Sequence, residues 1–193
     1  LHLCHHNLET IETTSTTSDN AKHKLLLEVC YAAKYEGQSI SQNHGKHKET
    51  NNESQLCTVL ARSFADIGDI VRGKDLFLGN DKEKEKRDEL DKKLKDIFKM
   101  IREKNQSKLG ALSLDQVREY WWEANRETVW KALTCEANGT YFRATCDSSD
   151  SQGPSQAHDK CRCDGAKSAK PGKKPGDVNI VPTYFDYVPQ YLR

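Results

Sequence analysis

All three tryptophans of this chain, Trp121, Trp122 and Trp130, fall in the single stretch EYWWEANRETVW (119–130). Each indole needs roughly 150–250 Å² of cover. The segment that carries them therefore becomes the centre of whatever core forms. Its start is marked by Ser113-Leu-Asp-Gln116, a capping box with Ser at the N-cap and Gln three residues on. From there a helix runs to Cys135, with Leu114, Val117, Trp121, Ala124 and Thr128 on one face and Trp122, Val129, Trp130 and Leu133 on a second. Apolar residues on more than one side predict a central, buried helix.

Partners for that helix are legible on either side. Asp19 or Asn20 caps a helix carrying Leu25, Leu26, Val29, Ala32, Ala33 and Glu36, and Gly37 sits where a left-handed C-cap belongs. Residues 38–55, QSISQNHGKHKETNNESQ, show no apolar periodicity and read as an exposed loop. Cys57, Leu60, Ala61, Phe64, Ile67 and Val71 then form one helical stripe, with Arg62, Asp66 and Asp69 on the opposite face and an end near Gly73. After the break at Gly79-Asn80, the charged run from Asp81 leads into Leu90, Leu94, Ile97, Phe98 and Ile101, an amphipathic helix with a solvated lead-in. Beyond Cys146 the chain is dense in Ser, Gly, Pro and Lys, and the closing VNIVPTYFDYVPQYLR is interrupted by Pro182 and Pro189. No stretch alternates convincingly as a strand. The expected class is all-α, a helical bundle with long irregular loops.

One motif invites an enzymatic reading. Gly68, four residues, and then Gly73-Lys74 match the opening of a phosphate-binding P-loop. That loop needs Ser or Thr next, to hold Mg²⁺, and a preceding strand. Here Asp75 follows, and residues 69–72 continue the helical stripe. A helix ending in a glycine is the better account. Ser, His and Asp abound in the loops, but no nucleophile elbow accompanies them. No catalytic residue and no cofactor are expected.

Charge is balanced: 30 Lys and Arg against 29 Asp and Glu give a net +1, which supplies no general drive towards nucleic acid. Any anion binding has to be local. No run of about 18 apolar residues is present, and the start, LHLCHHNLET, lacks the order of a signal peptide. The chain reads as an internal piece of something larger. Its seven cysteines, Cys4, Cys30, Cys57, Cys135, Cys146, Cys161 and Cys163, are scattered without a CxxC pair, which predicts disulfides in an oxidising, extracellular setting. The odd count leaves one without a partner in the chain; Cys4 is the candidate. Cys4-His5-His6 and His158-x-x-Cys161-x-Cys163 contain zinc-ligand types, yet lack the recurring spacing of a four-ligand site. No metal is expected. Asn52, Asn105 and Asn138 begin N-x-S/T sequons.

Three blocks carry a resemblance. CTVLARSFADIGDIVRGKDLFLGN (57–80), EYWWEANRETVWKALTC (119–135) and VPTYFDYVPQYLR (181–193) resemble an N-terminal alpha-type Duffy-binding-like domain of the Plasmodium falciparum erythrocyte membrane protein 1 family. LLLEVCYAAKYEGQS (25–39) and LHLCHHNLE (1–9) resemble the segments that precede them. The resemblance implies a disulfide-stapled, mainly helical adhesion module without catalytic activity, exposed on the infected red-cell surface as part of a membrane-anchored protein. It also implies a division in which 1–55 ends a first subdomain and 56–193 forms a second, running into a third. It pairs Cys57 with Cys146, Cys135 with Cys161 or Cys163, and Cys4 with a cysteine upstream; Cys30 is given no partner.

Implied partners are a host cell-surface receptor, a sulfated or blood-group glycan, antibodies and neighbouring domains. For a glycan, the residues to consider are Lys160, Arg162, Lys167, Lys170, Lys173 and Lys174, because lysines in an irregular loop gather along polyanions by an attraction that salt screens. The bland alternative is a variable, solvated loop that alters only the antigenic face, in a spacer domain whose neighbours do the binding. Lys82, Lys84, Lys86 and Arg87 form a second basic stretch, which Glu83 and Glu85 largely neutralise.

Overall fold

The computed structural model describes residues 16–50, 55–76, 79–137, 139–141, 144–146, 155–157, 160–163 and 181–193. Among these, helices α1 (Ala21–Thr50), α2 (Leu56–Arg72), α3 (Asp81–Lys104), the single turn α4 (Gln106–Leu109) and α5 (Leu114–Leu133) make up most of the structure. A two-stranded antiparallel ladder, β1 (Ala144–Cys146) with β2 (Ser155–Gln156), follows, and two 3-10 turns, Phe185–Tyr187 and Gln190–Leu192, close the chain. The all-α class holds; the ladder is too short to leave an alternating pattern in the sequence.

The capping boxes are in place. At α5, Gln116 N–H donates to Ser113 Oγ at 3.2 Å and Ser113 N–H donates to the Gln116 side chain at 2.9 Å. At α3, Asn80 and Glu83 make the same reciprocal pair at 3.0 and 3.1 Å. Helix α5 packs against α1, α2 and α3. Trp122 and Trp130 are fully buried on either side of Phe64, each with ring centroids 5.1 Å from it, and Trp121 stands edge-on to Phe98 at 6.0 Å. The face expected to carry Ala124 and Thr128 is different: both are exposed, and Arg118, Asn125 and Arg126 are buried instead. Hydrogen bonds to their heads explain it. Arg118 donates to the Val71 carbonyl at 2.7 Å and the Ile70 carbonyl at 3.0 Å, end carbonyls of α2, where helices run short of backbone donors.

Helix α2 ends as the sequence reading expects. Gly73 is left-handed (φ 74°), its N–H donates to Ile70, and Lys74 N–H donates to Asp69 at 2.8 Å. Its polar face is not uniformly solvated, however. Arg62 is exposed, whereas Asp69 is buried against Arg72, at 2.9 Å.

Helix α1 overturns two expectations. It runs straight through Gly37 to Thr50, so residues 38–50 are helical and Gly37 is no C-cap. The glycine serves a contact between helices: a Cβ there would lie 1.8 Å from the Leu133 carbonyl oxygen of α5. The second half of α1 escaped the sequence because Ile40 is its one apolar side chain, so no stripe marks it.

The cysteine pairing is also corrected. Cys57 bonds to Cys161 and Cys146 to Cys163; Cys30 and Cys135 are free thiols. The Cys57–Cys146 pair and the bond from Cys135 to Cys161 or Cys163 are therefore not formed, and Cys4 lies outside the described residues. The Trp130 indole N–H donates to the Cys161 carbonyl at 3.2 Å, which seats Cys161 over the core beside Cys57, where Cys146 had been expected. Among the described residues no helix is long and apolar enough to cross a membrane.

Candidate functional site

The segment around Cys161 is the corner from which the lysine-rich stretch departs. Lys160 and Cys161 are both left-handed, φ 49° and 52°, an arrangement that costs about 1–3 kcal/mol per non-glycine residue and persists only where its surroundings impose it. The impositions are identifiable: the bond from Cys161 to Cys57 in α2, the Trp130 indole on the Cys161 carbonyl, and the bond from Cys163 to Cys146 in β1. Tyr141 N–H adds a bond to the Ala157 carbonyl at 2.9 Å. The corner is thus a rigid platform.

Of the basic residues singled out there, Lys160 is exposed. Arg162 is half-buried, its guanidinium donating to the Lys131 carbonyl and Thr134 Oγ1, each at 3.3 Å, so it props the platform against the end of α5. Lys167, Lys170, Lys173 and Lys174 lie outside the described residues. Cys161 and Cys163 have no thiolate left for zinc, and His158 and the Cys4-His5-His6 group fall outside the described residues. The sequon residue Asn105 is exposed at the end of α3, its amide donating to the Ile101 carbonyl at 2.9 Å.

The Gly68 motif has no phosphate cradle. Gly68 is inside α2, where a Cβ would meet the Trp122 ring at 2.8 Å. Lys74 pairs with Glu119, and Asp75 pairs with Arg87 at 2.6 Å. A cavity of about 190 Å³ beside Gly73 is lined by Asp75, Asp88 and Asp91 as much as by Lys84 and Arg87. Its carboxylates repel the charge a nucleotide would bring.

At the other end of α5, the closing segment 181–193 is seated on charge. Asp186 is fully buried. It accepts from the Trp122 indole N–H at 2.9 Å and from both Nε and Nη2 of Arg126 at 2.9 and 2.7 Å. Arg72 donates to the Asp186 carbonyl and Arg126 to the Thr183 carbonyl. Arg193 pairs with Asp69 and lies 3.6 Å from Asp66. Burial pushes the Asp66 carboxyl up, against the pull of Arg193. Burial and the hydrogen bond to Glu123 raise the Tyr187 phenol, which stays neutral. Nothing in this network points to proton transfer; it is a fastening.

The surface beyond these anchors carries large exposed side chains that the sequence reading did not single out. Leu27, Tyr31 and Tyr35 line the outer face of α1, with the two tyrosine rings 6.5 Å apart. Tyr120, Tyr184, Tyr191 and Leu192 are exposed elsewhere. Tyrosine is enriched in protein contact surfaces because it offers rigid amphipathic area. The helical spacing of Leu27, Tyr31 and Tyr35 was available as a signal, but composition alone does not tell an outward stripe from a core one.

A family model described as the Duffy binding domain matches residues 1–193, the full length of the chain. The chain belongs to the Duffy binding domain family. Among solved structures, this Duffy-binding chain is similar to the N-terminal NTS-DBL1-alpha and CIDR-gamma double domain of PfEMP1 from the Plasmodium falciparum varO strain, with 37% identity and a TM-score of 0.67 over 99% of the chain. It is equally similar in sequence to the NTS-DBL1(alpha-1) domain of the same strain, with a TM-score of 0.65 over 99% of the chain. The ICAM-1-binding DBLbeta domain of PfEMP1 IT4var13 matches at 34% identity and a TM-score of 0.60 over 70% of the chain. The chain spans 25%, 40% and 33% of those three structures, respectively. No match is found among curated proteins.

Proposed function

We propose that this Duffy-binding chain is part of an extracellular adhesion module of a PfEMP1-type variant antigen, and that the whole module binds a receptor or glycan on host cells. The observation that carries the reading is 37% identity to NTS-DBL1-alpha domains over 99% of the chain. A related DBLbeta domain is described as binding ICAM-1, which supports contact with a host surface protein as the general mode of action; catalysis has no role in it. In this reading the module stands on the surface of the infected red cell within a longer membrane-anchored protein. Residues 1–55 close a first subdomain and 56–193 form the second. Antibodies and neighbouring domains are further partners.

The division of labour is mechanical. Trp121, Trp122 and Trp130 hold the helices in place and need not touch a receptor. The disulfide-held corner at Cys161 and Cys163 presents the basic stretch, with Lys160, Lys167, Lys170, Lys173 and Lys174 as contacts for a sulfated glycan, while Arg162 supports the corner. In a charge-driven contact, replacing Lys167, Lys170, Lys173 and Lys174 by Ala shortens retention on heparin and flattens its dependence on salt. Unchanged retention removes the lysine stretch from the site. The second reading, a spacer that varies antigenically while its neighbours bind, predicts that the complete parent domain binds no host cell at all.

A further inference from the structure

We propose that the outer face of α1, the ridge of Leu27, Tyr31 and Tyr35, is a contact surface for a second copy of this chain, flanked by ion pairs between Glu28 of each copy and Lys34 of the other. The three side chains are 45–53% exposed and follow one another at four-residue steps, so they form a single ridge on the helix. The Tyr31 and Tyr35 rings stack with their centroids 6.5 Å apart. Held in this way they offer stiff amphipathic area of the kind enriched where proteins meet. The inward face of α1 is a different one: there Leu25, Val29, Ala32, Ala33 and Glu36 are buried, and α2, α3 and α5 pack against the helix.

The symmetry of the ridge identifies its partner. At about 100° of turn per residue, Leu27 and Tyr35 lie about 40° to either side of Tyr31, and Glu28 and Lys34 lie about 60° to opposite sides of it. The face is therefore its own complement in charge. A two-fold axis along the ridge exchanges the two flanks, so that Glu28 meets Lys34 of the second copy and Lys34 meets its Glu28. Lys34 is exposed and Glu28 half-buried, and neither has an ion pair or side-chain hydrogen bond among the described residues of its own chain. The same axis sets how the helices cross. A row of side chains at four-residue steps is inclined about 26° to its helix, so two rows laid along one axis cross their helices at about 50°, the commonest class of helix packing. A contact of this isologous kind closes on itself and stops at the dimer. Three apolar side chains from each copy cover less than a permanent interface buries, so the dimer is weak and reversible.

The test is sedimentation equilibrium of the full chain with its disulfides intact, at concentrations up to about 1 mM. The unmodified protein passes from monomer to dimer, reversibly on dilution. Tyr31→Glu, which places a charge at the centre of the contact, stays monomeric. Glu28→Lys and Lys34→Glu each turn two attractive pairs into two repulsive ones and weaken the dimer about tenfold. Mixed in equal amounts, these two variants associate as the parent does, because each then meets the opposite charge on the other. Recovery in the mixture has no explanation within either chain alone. If Tyr31→Glu fails to fold, Tyr31→Ser removes the ring without adding charge and lowers association in the same direction. A protein that stays monomeric over the whole range overturns the proposal, as does a dimer that Tyr31→Glu and Tyr31→Ser leave intact. Charge variants whose mixture associates no better than either alone overturn the pairing of Glu28 with Lys34, and with it the second copy as the occupant of the ridge.

Discussion

Two glycines of α1 separate local from non-local causes. Gly45 has nothing within 4 Å of the position a Cβ would take, whereas at Gly37 that position is 1.8 Å from the Leu133 carbonyl oxygen. In Gly45→Ala the added methyl restricts the unfolded chain and raises stability by about 0.5–1 kcal/mol. In Gly37→Ala it meets backbone that cannot rotate away, and the loss is about 3 kcal/mol. Chemical denaturation of the two variants reads both signs in one experiment; a Gly37→Ala variant as stable as the parent would show that α1 and α5 are not in contact there. Asp91 sets a second expectation. Burial works to raise its carboxyl, but hydrogen bonds from Lys95 and Arg118 outweigh this, and the folded value lies below the ordinary carboxylate range. A depressed folded value contributes stability above the unfolded value, near pH 4, that is lost as pH falls through the folded one. Asp91→Asn therefore lowers stability at neutral pH and shows a shallower loss below about pH 4, which denaturation across pH 2–7 measures.

The elements the sequence announced are those whose signals are local. Ser113 with Gln116, Gly73 at the end of α2, and the stripe from Leu90 to Ile101 each state their own role within a turn or two of helix. What could not be read depends on distant partners. Gly37 resembles a C-cap until Leu133 is beside it, and Arg118 and Arg126 look like solvent residues until the α2 carbonyls and Asp186 are there to accept from them. The Cys161 and Cys163 partners follow from where the corner lands, which spacing does not determine. Each disulfide closes a loop of known length, 104 residues for Cys57–Cys161 and 17 for Cys146–Cys163. Chain entropy predicts that removing the first costs about 4–5 kcal/mol and the second about 3 kcal/mol. A peptide map of the unreduced protein should yield these two pairs. Cys30 and Cys135 should take up iodoacetamide without reduction, Cys30 slowly because burial pushes its thiol up and leaves little thiolate. A Cys57–Cys146 peptide would contradict the corner as described.

At the scale of the whole molecule, the helices and two disulfides form a scaffold that leaves Lys160 and several tyrosines exposed; the proposed function makes Lys160 and the lysines that follow it in the sequence the contact for a partner. Nothing in the balanced net charge of +1 attracts a polyanion from a distance, so any glycan contact has to be short-range and sensitive to salt. This gives the adhesion reading a narrow form: rigid presentation of a local patch, with no broad electrostatic field. The most direct measurement is binding of the oxidised, complete parent domain to uninfected red cells, titrated to saturation with and without soluble heparin. The account predicts saturable binding, reduced by heparin and by salt. Absence of saturable binding would contradict it and assign the adhesive role to another domain of the parent protein.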